Sequence, residues 1–128
     1  MLEKYLGFYV WQGMNLLKNV ALLKELPAVT NRLLLSFTAA DYRYLATSNG
    51  VRMAKSFISK ANRRGIRVEL LIGEPTLVLP FLHDNIQSYV KVFERIPFDG
   101  VQLDCERDQL PDYQRYEWND GIFDLVNA

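Results

Sequence analysis

Four short apolar runs, each followed by a stretch with helical spacing, constrain this chain more than any other feature. The runs are Tyr5–Trp11, Arg32–Phe37, Ile66–Ile72 and Gly100–Cys105. Their length and their β-branched, aromatic and leucine content predict buried strands. Between the first two, Leu16, Leu17, Val20, Leu23 and Leu26 recur at helical spacing, with Asn15 as the expected cap and Pro27 as the stop. Residues 38–50 read as a connection or a short helical turn. Val51–Arg64 predicts a helix with Met53, Ala54, Phe57, Ile58 and Ala61 on one face, ended by Gly65. Leu82–Ile96 carries the next stripe, and Pro97 breaks it. After Pro111, Asp112 would cap a last helix through Tyr116, Ile122, Phe123 and Val126. A β-α-β-α-β-α-β-α order with strands roughly 25 to 35 residues apart implies parallel pairing. Two architectures satisfy it: half of a (β/α)₈ TIM barrel, or a small open doubly wound sheet.

The 128 residues make one α/β domain, and 49% of them are hydrophobic, too many for a disordered chain. A whole barrel needs about 250 residues, so the half-barrel reading treats residues 1–128 as a fragment or truncated form of a longer chain. Its edge strands and inner face then need covering, by a second copy in a homodimer or by the missing half-barrel. Net charge is zero, which disfavours general nucleic-acid binding. No apolar run reaches the roughly 20 residues of a membrane span. The first residues carry no signal peptide, so the default compartment is the cytoplasm. The single Cys105 and single His83 exclude a multi-thiolate or His-rich metal site, and no metal or cofactor is expected. The glycines form no phosphate-binding loop. Residues 1–67 hold 11 basic and 3 acidic side chains, while residues 68–128 hold 4 and 12. This is either a solvated dipolar surface or a gathering of carboxylates for a site.

The fourth run is the most informative. Side chains alternate along a strand, so Val101, Leu103 and Cys105 share one face and Gln102, Asp104 and Glu106 the other. A polar face ending in two carboxylates lies where parallel sheets carry their ligands. If both charge, repulsion raises one pKa and provides a proton donor near neutral pH, as glycosidic cleavage requires. Glu106 is the candidate general acid/base and Asp104 its partner. An acidic strand end satisfied by water or by Arg107 is the alternative. Glu74, in the turn before Pro75, is a candidate third carboxylate or a simple turn former. Trp11 and Gln12, after the first strand, are candidates for stacking on a sugar and bonding a hydroxyl, with Trp11 as a core residue the competing reading. The basic group Lys55, Lys60, Arg63, Arg64 and Arg67 reads as a solvated helix face or as an anion site.

Asp99-Gly100-x-x-x-Asp104-x-Glu106 resembles the strand-four signature of chitinase-type glycoside hydrolases, D-G-x-D-x-D-x-E. The resemblance implies a barrel in which Glu106 is the general acid, Asp104 assists a substrate acetamido group, and Asp99 is structural. Gln102 stands where that family has its middle Asp. The chain also resembles bacterial barrel proteins described as glycoside-hydrolase-like. Tyr9-Val10-Trp11, Leu34-Leu35-Ser36-Phe37, Gly73-Glu74-Pro75-Thr76 and the run from Phe98 through Asp108-Gln109-Leu110-Pro111 carry that likeness, with Arg107 in place of their usual Pro. It spans the first half of their barrel and implies a poly- or oligosaccharide substrate. A non-catalytic α/β domain for binding or self-association is the alternative function.

Overall fold

The computed structural model describes residues 6–72 and 86–103. Strand β1 (Leu6–Val10) leads into α1 (Gly13–Lys18) and a 3₁₀ helix (Val20–Glu25). Strand β2 (Thr30–Leu35) is followed by two helices, α2 (Ala39–Leu45) and α3 (Ser48–Arg63), then β3 (Arg67–Ile72). Helix α4 (Ile86–Arg95) precedes β4 (Gly100–Leu103). The strands form one sheet in the order β1-β2-β3-β4, every neighbouring pair parallel. The chain is therefore an α/β fold of consecutive βα units, as the alternation of apolar runs predicts. Among the described strands the order never reverses. That is the arrangement of successive units in a (β/α)₈ barrel, and it equally forms one wing of a doubly wound sheet.

One face of the sheet makes the core. Leu33 and Leu35 of β2 and Val68, Leu70 and Ile72 of β3 pack with Leu17 of α1, Leu45 of α2, Phe57, Ile58 and Ala61 of α3, and Val92 of α4. The apolar stripe read from residues 51–64 is the buried face of α3, while Lys55, Ser56, Lys60 and Arg63 are exposed. Gly65 ends this helix at φ +76, the left-handed conformation that suits glycine.

Local hydrogen bonding corrects several boundaries. Asn15 is not a helix cap: it lies inside α1, and its Nδ2 donates to Gln12 Oε1 at 2.7 Å. The expected helix over Leu16–Leu26 is two pieces. Asn19 separates them, its side chain donating to the Asn15 carbonyl at 2.8 Å and competing with the helical backbone. Strand β2 starts and ends two residues earlier than the run Arg32–Phe37 suggests. Residues 38–50 are not a mere connection. Thr38 and Asp41 close a reciprocal capping box that starts α2, and the Thr47 hydroxyl accepts from Gly50 N at 3.1 Å to start α3 three residues before Val51. The turns and helix expected around Pro75 and after Pro111 lie outside the described residues.

Candidate functional site

The second face of the sheet is where chemistry can sit. Strand register puts Gly7, Arg32 and Arg67 in one row, Tyr9, Leu34, Glu69 and Gly100 in the next, and Leu71 with Gln102 in a third. Leu34 and Leu71 are buried, but the remaining side chains are polar or aromatic. Arg32 binds Glu69 through Nε, and its Nη2 donates to Gln102 Oε1 at 3.2 Å. One guanidinium thus ties together three strands. The Arg32 side chain is 45% exposed while that of Glu69 is only 11%, so the pair places its carboxylate inside and leaves its cation half in water. The hydrogen bond to Glu69 holds the Arg32 pKa above its ordinary value; burial opposes this and the Glu69 charge reinforces it.

A side chain at Gly100 would have to displace the Glu69 carboxylate. A Cβ at this position would lie 2.8 Å from Glu69 Oε1, inside contact distance. The Asp99-Gly100 pair therefore has a local role. Asp99 Oδ2 accepts from Val68 N at 2.7 Å and from Asn62 Nδ2 at 2.9 Å, which fastens the start of β4 to β3 and to the end of α3. Asp99 is thus a structural residue in this fold.

Of the residues singled out from sequence, Gln102 lies on this polar face, opposite in direction to Val101, as strand alternation requires. Trp11 follows the end of β1 and is 66% exposed; it is not a core residue. Its ring stacks with that of Tyr9, centroids 6.2 Å apart and planes 16° from parallel. Gln12 is exposed, with its side-chain oxygen engaged by Asn15. Glu74, Asp104 and Glu106 lie outside the described residues, as do His83 and Cys105. The basic group seen in sequence does not form one patch. Arg63 donates to Ser59 Oγ at 3.1 Å, Arg64 to the Leu23 carbonyl at 3.2 Å, and Arg67 stands on the sheet with Nη2 donating to the Asp99 carbonyl at 2.9 Å.

Sequence reasoning missed Arg32 and Glu69. The available signal was a charge inside an otherwise apolar strand, Glu69 in IRVELLI and Arg32 at the head of RLLL. Such a charge must find a partner or stay wet. Among the described residues no group of three His, Cys, Asp or Glu gathers to hold a metal, and no described helix is long and apolar enough to cross a membrane. Comparison with protein families, with curated proteins and with solved structures finds no match.

Proposed function

We propose that the chain is a glycoside-hydrolase-like domain acting on a poly- or oligosaccharide, with Glu106 as general acid/base and Asp104 as its partner carboxylate. The observation that carries this reading is the polar sheet face to which Gln102 belongs. In sequence, Asp104 and Glu106 follow Gln102 at the two-residue period of a strand. The exposed Tyr9–Trp11 pair supports the same reading, because aromatic rings offer a platform to the apolar face of a sugar. Gln12 and Glu74 are the accessory polar contacts of this proposal, and a second copy or a second half-barrel would complete the cleft.

In the mechanism the protonated Glu106 gives its proton to the leaving glycosidic oxygen. Asp104 keeps that proton on Glu106 by like-charge repulsion and stabilises positive charge developing on the sugar. The test is Glu106→Gln in an assay of reducing ends released from oligosaccharides. The expected loss is about 10² to 10⁴ in turnover, with binding retained. Unchanged turnover on a confirmed substrate overturns the assignment. A second reading, carbohydrate binding without turnover, is favoured by the Tyr9–Trp11 pair, which needs no carboxylate. It predicts that Trp11→Ala abolishes binding while no substrate is cleaved.

A further inference from the structure

The polar face also holds a pocket whose two arginines the proposed hydrolysis does not use, though its Tyr9 belongs to the aromatic pair of that reading. It has a volume of about 360 Å³ and is lined by Gly7, Tyr9, Asn31, Arg32, Leu34 and Arg67. Arg67 is the first residue of β3 and Arg32 the third of β2, so the charged part of the pocket lies toward the end of the sheet opposite the strand ends where Asp104 and Glu106 would act, with Tyr9 and Leu34 further along. Arg32 and Arg67 are register partners on adjacent strands. Two like charges in such positions repel unless something compensates them. Among the described residues Glu69 is the one carboxylate that faces both, bound by Arg32 and 4.0 Å from Arg67 Nη2. Among the described residues one negative charge thus serves two guanidiniums, leaving a positive excess of one on a half-exposed surface. The Arg32 bonds use Nε and Nη2, and Arg67 donates through Nη2 alone. The Nη1 groups of both have no partner among the described residues. Gly7 has no side chain to close the floor, and the Tyr9 ring forms a wall.

We infer that this pocket is an oxyanion site, taking the carboxylate or phosphate of a small molecule between Arg32 and Arg67. Guanidinium forks match both groups geometrically. The Tyr9 ring accommodates an apolar or sugar body attached to the anion.

The experiment is an NMR titration of the intact chain with three probes: inorganic phosphate, D-galacturonate and D-galactose. Saturable shifts of the Arg32 and Arg67 side-chain N–H resonances are expected with phosphate, galacturonate or both. Whichever binds more tightly identifies the group, and galactose should leave both resonances unmoved. Arg67→Gln, an exposed change that keeps Arg32 and Glu69 paired, should weaken binding about tenfold. Lys60→Gln removes the same charge from the α3 surface and should leave binding unchanged, as should Glu106→Gln, which separates this site from the hydrolytic one. Absence of saturable shifts with both anions overturns the inference. So does an affinity that Arg67→Gln leaves intact or that Lys60→Gln lowers equally.

Discussion

The two faces of the sheet use the same strands for opposite purposes. On one, Leu33, Leu35, Val68 and Leu70 are wholly buried against Phe57, Ile58 and Ala61 of α3. On the other, alternate residues of those strands carry Arg32, Glu69 and Arg67. Burial of apolar area is non-directional and large. A hydrogen-bonded ion pair half in water contributes little net stability, but it fixes the direction of its groups. The first face therefore carries most of the stabilising burial, and the second, its buried Leu34 and Leu71 apart, offers polar groups for binding. Substitutions on the two faces should separate by size and by kind.

The largest effect belongs to the apolar face. Phe57→Ala leaves a cavity under the sheet and should cost about 3–5 kcal/mol in denaturant unfolding. A loss below about 1 kcal/mol would mean that the core is not organised around α3. Gly50→Ala comes next. Its Cβ would meet the carbonyl group of Tyr44, which is backbone and cannot swing away. The expected cost is about 1–3 kcal/mol, as for overpacking elsewhere, read as a lowered melting temperature.

Thr30→Val should act in the opposite direction. The Thr30 hydroxyl is buried with no hydrogen-bond partner among the described residues, and an isosteric methyl removes its desolvation cost. A gain of about 1 kcal/mol is expected; a loss would show that the hydroxyl has a partner in solution. On the polar face, Gln102→Ala removes one exposed bond to Arg32 and should change stability by less than about 0.5 kcal/mol. A larger loss would put part of the folding energy on that face and weaken the contrast.

The smallest effect concerns pH. The Arg32 pKa is raised on folding, so its contribution is complete at every pH below the ordinary arginine value and is lost only as pH rises through the still higher folded value. Between about pH 6 and about pH 10 the difference in stability between the protein and Arg32→Met should therefore stay flat on account of Arg32. A slope within that window would place a second titrating group in contact with it.

The four strands and the buried stripe of α3 were legible in the sequence because hydrophobic period reports the burial of each residue locally. The capping box of α2 and the Thr47 cap of α3 are legible in principle from Thr38, Asp41 and Thr47, but residues 38–50 lack the long apolar stripe that marks a helix. The break at Asn19 was not legible. It depends on a side chain choosing a carbonyl four residues back over solvent. The alternation of Val101 and Gln102 was readable from strand geometry, but the partner of Gln102 was not. Arg32 is 70 positions away in sequence, and only the pairing of β2 with β3 and β3 with β4 brings them together.

By itself, the sequence determined that this chain alternates strands with helices, pairs the strands in parallel and buries one face of α3. These follow from short-range periodicity and from the connection lengths that parallel pairing requires. Tertiary structure alone decided which charges meet. It set Glu69 beneath Gly100 and beside Arg32, exposed the Tyr9–Trp11 pair, and left Arg32 and Arg67 sharing one carboxylate. Electrostatic partnership depends on distance in space, and strand register sets that distance between residues far apart in the chain.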